Sequence, residues 1–267
     1  MYNMLTVDLE DWLQSTYDCT SEITNYVYDN SLRLLDLLES VDVRATFFCL
    51  GKVVRKYPEL ISRIASAGHE IATHGLSHKS VKELGPEKFK AELSESIKLL
   101  EDICGQKVLG HRAPDFTIDL DTSWAFEIMR EAGLLYDSSI FPIKGRRYGS
   151  PECRLAPFQI RKNFWEIPLT AIEMAGRRFP VLGGGYFRLY PYFFSSYCLR
   201  KINNANRPAV LYIHPYEINS AEIKALSVGF KTRIMQGLFR SRIYGRLETL
   251  CREYKFTTIK RYLDDCS

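Results

Sequence analysis

Short apolar runs alternate along the chain with segments in which apolar residues recur every three or four positions. The apolar runs predict seven strands, near residues 4–7, 44–50, 70–73, 108–111, 134–136, 165–169 and 208–214. The helical periodicity predicts five helices between them, near residues 30–40, 53–67, 86–103, 121–132 and 191–203. Because strands that alternate with helices form parallel sheets, the pattern predicts an α/β fold.

The remaining segments are less regular. Residues 141–162 are rich in Gly, Pro and Arg without periodicity, which predicts a long loop at the mouth of the fold. Residues 231–253 predict a long polar helix, and residues 256–259 predict a short last strand. We find no internal repeat, and 267 residues are enough to bury one large core. We therefore expect a single domain over residues 1–267, with 215–267 as a C-terminal extension packed on it.

Charge and composition exclude several classes of protein. The net charge of +4 is mild, and most of the excess lies late, in residues 231–246. Since no basic stripe is interleaved with aromatic residues, we do not expect a nucleic-acid partner. No apolar run approaches the length of a membrane span.

The first residues and the cysteines bear on the compartment of the protein. The N-terminal segment Met-Tyr-Asn-Met has no basic lead and runs straight into a strand, so we do not expect a secretory signal. The seven cysteines are odd in number and form no CxxC pair, which favours reduced thiols over a disulfide framework. We expect a cytoplasmic protein.

Two histidines one helical turn apart follow the third apolar run. The segment His-Gly-Leu-Ser-His at 74–78 comes directly after the strand predicted at 70–73. His74 and His78 at this spacing can hold one metal ion. The same spacing also arises by chance, so solvated or capping histidines are the alternative.

Carboxylates at the end of the first strand favour the metal site. Asp8, Glu10 and Asp11 place three acids within four positions. They can supply an oxygen ligand and still leave a carboxylate for proton transfer. For Asp8 the alternative is a strand-end carboxylate that caps the next turn.

Two further apolar runs end in groups that a hydrolytic site can use. Arg112 follows the run at 108–111, and His214 ends the run at 208–214. The candidate groups therefore lie at the C-terminal ends of four predicted strands, where (β/α) barrels carry their chemistry. We expect Arg112 to pair with Asp8 and hold it ionised, and His214 to protonate a leaving amine. An ordinary surface arginine and a packed core histidine are the alternatives.

The order of the motifs along the chain is informative. The ordered motifs are Thr-x-Asp at 6–8, Gly-His-Glu-Ile running into His-x-x-x-His at 68–78, Arg-x-Pro at 112–114, and a late strand ending in His214. In this order they resemble the polysaccharide deacetylases of the NodB-homology type (carbohydrate esterase family 4), over nearly the whole chain. The resemblance implies a distorted (β/α)7-type barrel. More narrowly, Tyr-Asp-Ser-Ser at 136–139 and Gly-Gly-Gly-Tyr-Phe-Arg at 183–188 resemble a subgroup found with bacterial exopolysaccharide and surface-glycan gene clusters.

The resemblance implies roles for the acidic and imidazole groups. Asp8 corresponds to the general base, which takes a proton from a metal-bound water as it attacks the acetamido carbonyl. His74 and His78 correspond to the imidazole ligands. The chemistry expected of the site is therefore metal-assisted amide hydrolysis.

The carboxylate ligand of the metal stays open between two residues. Most of the family has a metal-binding acid directly after the base, whereas Leu9 occupies that position here. Glu10 and Asp11 compete for the role. We favour Glu10, because alternation along a strand places it on the face of Asp8 and because its longer side chain can span the gap left by Leu9.

A carboxylate that holds the catalytic side chains and a donor to the oxyanion are also expected. Asp137 could hold Arg112 or His214 in place, as carboxylates do in related enzymes. The oxyanion would be shared by the metal and a backbone N–H, and the family comparison points to the turn after Pro114, near Asp115.

A run of glycines at 183–185 is the last candidate. Glycines let a backbone approach a ligand closely, with Tyr186 or Arg188 as the contacts. The run lacks the lysine and the strand-to-helix context of a phosphate loop. A flexible connector is the alternative.

The implied function is that of a metal-dependent N-deacetylase. It would remove acetyl from an N-acetylated sugar in surface-glycan or exopolysaccharide biosynthesis, with the sugar nucleotide-linked, lipid-linked or oligomeric. One divalent metal ion is expected, zinc first, with nickel, cobalt, iron or manganese as alternatives. The alternatives in function are a cyclic-amide hydrolase of the same superfamily, a glycoside hydrolase using Asp8 with Glu10 or Asp11, and a non-catalytic sugar-binding module. The sugar, its carrier and the oligomeric state do not follow from the sequence.

Overall fold

The computed structural model describes residues 1–119, 121–145 and 149–266, which form strands with helices packed against them. The strands are β1 (Asn3–Leu9), β2 (Thr46–Cys49), β3 (Glu70–Thr73), β4 (Gly110–His111), β5 (Tyr136–Asp137), β6 (Phe158–Arg161), β7 (Phe164–Glu166), β8 (Ala171–Met174), β9 (Arg177–Pro180), β10 (Val210–Ile213) and β11 (Phe256–Thr257). The helices are α1 (Tyr26–Ser40), α2 (Gly51–Lys56), α3 (Pro58–Ser66), α4 (Val81–Cys104), α5 (Trp124–Glu131), α6 (Gly184–Leu189), α7 (Tyr192–Asn204), α8 (Ala221–Ala225), α9 (Phe230–Gly237), α10 (Arg240–Glu253) and α11 (Ile259–Cys266). Among the described residues, none of these helices combines the length and apolar character needed to cross a bilayer.

Seven parallel strands make up the main sheet, in the order β10-β1-β2-β3-β4-β5-β7. β6 joins β7 in antiparallel orientation, and β11 pairs with the start of β1. Within the described residues β10 and β7 do not pair with each other, so the sheet is curled but open. The predicted α/β fold, a distorted barrel of seven parallel strands, is confirmed.

Alternation along β1 separates two buried layers of side chains. Leu5, Val7 and Leu9 pack on the helix side of the sheet. Met4 belongs to a second apolar cluster on the opposite face, inside the curl. Because Asp8 shares the face of Met4, strand alternation directs its carboxylate into the curl.

Two of the predicted helices are each divided in two. The helix predicted at 53–67 is α2 followed by α3, because Tyr57 leaves helical geometry and Pro58 starts a new helix. The helix predicted at 231–253 is α9 followed by α10, since Phe239 adopts a left-handed conformation with φ of +60°. The prediction of one long polar helix is therefore wrong.

The segments outside the regular pattern differ most from the prediction. The end of the loop predicted at 141–162 forms β6, and the hairpin of β8 and β9 has no counterpart among the predicted elements. The strand predicted at 256–259 ends at Thr257, and α11 follows it. β6 and β9 alternate exposed and half-buried residues, so they lack the continuous apolar run that marks the predicted strands.

The C-terminal helix is fastened to the bottom of the sheet by Glu70. Its carboxylate accepts hydrogen bonds from Tyr136 Oη at 2.7 Å, Thr46 Oγ1 at 2.6 Å and the Lys260 backbone N–H at 3.0 Å. Burial raises the pKa of Glu70, which these donors only partly oppose. Strands from both ends of the chain share one sheet, and the single domain over residues 1–267 stays a prediction.

Candidate metal and catalytic site

Four strands end at one edge of the sheet and bring polar side chains to it. Asp8 lies near the end of β1, His74 follows β3, Arg112 follows β4 and His214 follows β10. Parallel pairing sets these strand ends side by side, with β1 between β2 and β10. The structure thus places the four groups on the face where (β/α) barrels carry their chemistry.

Glu10 lies between the two predicted imidazole ligands. Its Oε2 atom is 2.6 Å from His78 Nε2 and 3.5 Å from His74 Nε2. One ligand atom from each of the three side chains lies within 4.8 Å of the others. Burial opposes ionisation of Glu10, but His78, His74 and His214 hold the pKa of its carboxyl well below the usual range.

Hydrogen bonds orient this cluster for a cation. His74 Nδ1 lies 2.8 Å from the Arg112 carbonyl. Because a carbonyl only accepts, Nδ1 carries the proton and Nε2 presents its lone pair toward Glu10. Oε2 of Glu10 is buried and has no hydrogen bond of regular geometry among the described residues. Two imidazole nitrogens and one carboxylate oxygen fit a divalent transition metal, and Glu10 Oε2 is an acceptor without a regular hydrogen bond that such an ion would occupy.

Asp11 has a different environment from Glu10. Its Oδ1 accepts the Gln14 backbone N–H at 3.0 Å. Its Oδ2 accepts the backbone N–H of Thr24 at 2.9 Å and the Thr24 hydroxyl. Asp11 thus fastens the turn after β1, and the structure brings Glu10 rather than Asp11 to the histidines.

The guanidinium of Arg112 is fully buried, and each of its three nitrogens donates a hydrogen bond. Nη1 donates to Asp8 Oδ1 at 2.7 Å and to Thr6 Oγ1 at 2.8 Å. Nη2 donates to Ser138 Oγ at 2.8 Å, and Nε donates to the Ser138 carbonyl at 2.9 Å. Cζ lies 4.1 Å from the centroid of the Phe48 ring. The expected pairing of Arg112 with Asp8 is present in the structure.

His214 faces the carboxylates of Asp8 and Glu10. Its Nε2 atom lies 3.8 Å from Asp8 Oδ2 and 3.6 Å from Glu10 Oε1. Its Nδ1 lies 3.2 Å from Glu217 Oε2, and since that carboxylate also accepts the His214 backbone N–H, Nδ1 is the donor. Burial disfavours a charged imidazole, but Glu217, Glu10 and Asp8 raise the pKa of His214 to about 9.

A stack of flat side chains supports the His214 ring. The Tyr216 ring lies parallel to it, with 4.6 Å between centroids and 12° between planes. Arg240 Cζ lies 5.2 Å from the Tyr216 centroid and 5.6 Å from the Trp12 centroid. Arg240 also donates to the Tyr216 carbonyl at 3.0 Å. Burial raises the pKa of Glu222, whose Oε2 lies 3.8 Å from Arg240 Nη1, to about 7.

Asp137 contacts His111 and not the side chains that it was predicted to hold. Its Oδ1 is 2.7 Å from His111 Nδ1 and accepts the Ser139 hydroxyl at 2.8 Å. Asp137 pairs in register with His111, whose side chain alternates with that of Arg112. Within the described part of the chain it makes no contact with Arg112 or His214, which corrects its predicted role.

The predicted substrate contacts lie in three different environments. Asp115 is exposed in the turn Pro114–Phe116, with φ of +53°. Tyr186 packs edge-on against Phe141, 6.4 Å between centroids. Arg188 is buried and donates to the Gln236 carbonyl, so it supports α9 within the C-terminal extension. A role in substrate binding stays a prediction for each of them.

The glycine run lies against the last sheet strand. A Cβ atom at Gly183 would lie 2.0 Å from the Tyr212 ring, and Gly183 forms a parallel bridge with Tyr212. The close backbone approach expected here is therefore to a protein ring. The run then leads into α6.

Sequence reasoning missed three residues around His214. Glu217 stands three positions after it, the spacing of a capping box, and this signal could have been found. Tyr216 and Arg240 contact each other across 24 positions, which leaves no local signal in the sequence.

A curled parallel sheet with carboxylates, imidazoles and a buried arginine at its C-terminal edge is typical of hydrolases. Residues 13–136 match the family model described as Polysaccharide deacetylase. Residues 138–264 match a model described as Domain of unknown function (DUF3473). The N-terminal half of the chain therefore contains a polysaccharide deacetylase domain of the NodB-homology type, which confirms the predicted resemblance.

Curated relatives agree with this family. The chain is 30% identical over 132 residues to the Peptidoglycan deacetylase-like protein FGM2 of Gibberella zeae, covering 48% of this chain and 38% of that protein. It is 33% identical over 79 residues to a Chitooligosaccharide deacetylase of Rhizobium leguminosarum bv. trifolii, covering 30% of this chain and 37% of that protein. The matches thus span little more than a third of these relatives.

Solved structures support the fold. Puue Allantoinase superposes with a TM-score of 0.59 at 15% identity, covering 95% of this chain and 85% of that one. A family 4 carbohydrate esterase from Bacillus anthracis superposes with a TM-score of 0.52 at 15% identity, covering 99% and 86%. At this identity the likeness concerns the fold alone.

Proposed function

We propose that this protein is a metal-dependent N-deacetylase that hydrolyses the acetamido group of an N-acetylated sugar. One observation carries the proposal: the Glu10, His74 and His78 cluster meets the Asp8 and His214 side chains at one edge of the sheet. Membership in the polysaccharide deacetylase family supports the same class of substrate.

Glu10, His74 and His78 are the proposed ligands of one divalent ion, zinc in the first place. When bound, such an ion supplies a Lewis acid that polarises a carbonyl and lowers the pKa of water. His74 is fixed for this role by its hydrogen bond to the Arg112 carbonyl. Asp11 takes no part in the proposed ligand set, since both its oxygens accept hydrogen bonds within the turn.

Asp8 is the proposed general base. Arg112 occupies Oδ1 and keeps the carboxylate in one orientation. Oδ2 faces the site, 3.8 Å from His214 Nε2, and would accept the proton of the attacking water. Arg112 is thus a positioning residue that acts through Asp8.

His214 is the proposed general acid. Glu217 holds the proton on Nδ1, so that Nε2 carries the proton to be transferred to the leaving amine nitrogen. The raised pKa of His214, about 9, supports a charged imidazole near neutral pH. The backbone N–H near Asp115 is the proposed oxyanion donor.

The substrate and its setting are also proposals. The printed names of the relatives support an oligomeric N-acetylated sugar, and the order of motifs supports a role in exopolysaccharide or surface-glycan biosynthesis. A cytoplasmic setting is supported by free cysteines, of which Cys49, Cys198 and Cys251 are buried. Neither histidine beside Glu10 has a use in glycoside hydrolysis by two carboxylates, so that alternative is less well supported.

Acetate release from oligomers of N-acetylglucosamine tests the proposal. The protein would be assayed as purified, after dialysis against a chelator, and after zinc is returned. We expect release to be lost on chelation and restored by zinc. Full release from the stripped protein would refute metal dependence, and hydrolysis of allantoin without acetate release would favour the cyclic-amide alternative.

A further inference from the structure

The helix α9 turns its apolar side outward. Phe230 and Ile234 lie four residues apart on one face of α9, and Leu238 follows directly after the helix. All three are exposed, Phe230 at 79%, and Met235 beside them is exposed at 55%. No residue of α9 is buried. An ordinary surface helix has the opposite arrangement, with its apolar stripe against the core.

Two contacts join the C-terminal end of α9 to the rest of the protein. Thr232 and Gln236 are half-buried rather than exposed. The backbone carbonyl of Gln236 accepts a hydrogen bond from the buried side chain of Arg188. A Cβ atom at Gly237, the last residue of α9, would lie 3.4 Å from Ile223, which places the end of the helix against α8. These contacts hold the end of α9, and the exposed fractions of its apolar side chains show that they point to solvent.

The segment around α9 carries positive charge only. Residues 223–247 contain six lysines and arginines and no aspartate or glutamate. Lys224, Lys231, Arg233 and Arg242 are exposed among them. Outward apolar side chains flanked by cations match the surface of an anionic bilayer, where apolar groups enter the headgroup boundary and cations meet lipid phosphates.

We propose that the exposed face of α9 docks on an anionic lipid surface. A second copy of this chain fits less well, because a symmetric contact would bring the same cations together. The proposal does not depend on the deacetylase function, since it rests on the exposure and charge of this segment alone.

The docking face is joined to the catalytic edge. Arg240 follows α9 closely in the chain and donates to the Tyr216 carbonyl beside His214. Arg188 ties the end of α9 to α6. The segment that would meet the bilayer is therefore linked through Arg240 to the side chains that support His214.

Co-sedimentation with vesicles tests the proposal. The probes are vesicles of phosphatidylcholine alone and of equal parts phosphatidylcholine and phosphatidylglycerol. We expect binding to the anionic vesicles, loss of binding in high salt, and little binding to phosphatidylcholine alone. Absence of binding to anionic vesicles at low salt would overturn the proposal.

Matched variants assign the binding to α9. Ile234→Ser combined with Met235→Ser should weaken vesicle binding on the order of tenfold, whereas Phe193→Ser, at a position of α7 that is exposed at 74%, should not. Lys231→Gln should weaken it more than Lys88→Gln on α4. Circular dichroism shows whether each variant is folded, as expected for exposed positions.

Two outcomes contradict the proposal. Binding that Phe193→Ser lowers as much as the α9 double variant does would place the surface elsewhere. A concentration-dependent dimer that the α9 variant dissociates, without vesicle binding, would show a contact between copies instead. Acetate release is measured separately, so a failure of the deacetylase assignment leaves the vesicle result interpretable.

Discussion

The ring of Tyr216 lies parallel to the ring of His214, 4.6 Å away, and the guanidinium of Arg240 lies 5.2 Å from the same Tyr216 ring. Tyr216 is thus held between the proposed acid and a buried cation that comes from the C-terminal extension. Flat side chains that stack in this way lose rotational freedom, which keeps Nε2 of His214 directed at the carboxylates of Asp8 and Glu10.

Removal of the Arg240 cation should misplace His214 without removing it. Because Arg240→Met alone would leave Glu222 buried without a partner, the variant to make is Arg240→Met with Glu222→Gln. We expect kcat for acetate release to fall about tenfold to a hundredfold with KM nearly unchanged. The control is Arg207→Met, which loses a hydrogen bond to the Ala171 carbonyl away from the site. An equal loss in the control would mean that the stack has only a structural role.

Asp8→Asn should abolish proton transfer and also lower stability. The amide cannot accept the proton of water, so acetate release should fall by a factor of about 10² to 10⁴ while the metal is retained. Arg112 would lose its charged partner in a buried setting, which costs about 3–5 kcal/mol in the free energy of unfolding. Metal content, turnover and urea unfolding check the three parts. Turnover like that of the wild type would contradict the assignment of the base.

Glu10→Gln and Asp11→Asn should have opposite effects. Glu10→Gln should lose the metal, because it removes one of three proposed protein ligands. Asp11→Asn should keep the metal but lower the free energy of unfolding by about 2 kcal/mol, since its carboxylate accepts hydrogen bonds from Gln14 and Thr24. Metal analysis of the two purified variants decides between them. Loss of metal only from Asp11→Asn would reverse the ligand assignment.

His69 should make stability depend on pH in the acidic range. Burial, with a contribution from Arg44, lowers the pKa of His69 to about 4, below its ordinary value of 6.5. Its neutral form accepts the Ala45 backbone N–H at 3.1 Å. The contribution of neutral His69 to the free energy of unfolding is fully present above pH 6.5. It is lost as the pH falls toward 4, because His69 takes up a proton in the unfolded chain first.

The variant His69→Asn removes this titration while keeping an acceptor. Between about pH 7 and about pH 5 the wild type should lose about 2 kcal/mol more in the free energy of unfolding than the variant does. Urea unfolding at both pH values measures the difference. The same pH dependence in both proteins would show that His69 does not contribute.

Local pattern was sufficient for the strands and for much of the candidate site. β1, β2, β3 and β10 are apolar runs, and each is buried on both faces, so the hydrophobic signal is strong. The C-terminal ends of parallel strands lie at the same edge of the sheet, which is why Asp8, Arg112 and His214 could be expected close together there.

Tertiary structure decided what depends on partners distant in the chain. Glu10 differs from Asp11 because His74 and His78 reach its carboxylate, whereas Thr24 donates to that of Asp11. Asp137 faces His111 because the register of β4 and β5 pairs them. The outward apolar face of α9 has the same origin: its periodicity is that of any amphipathic helix, and periodicity shows which residues share a face without showing where that face points. By itself the sequence determined the faces of the regular elements, since these follow from local geometry. Only the tertiary structure decided which side chains contact each other, because those contacts depend on how distant segments of the chain pack.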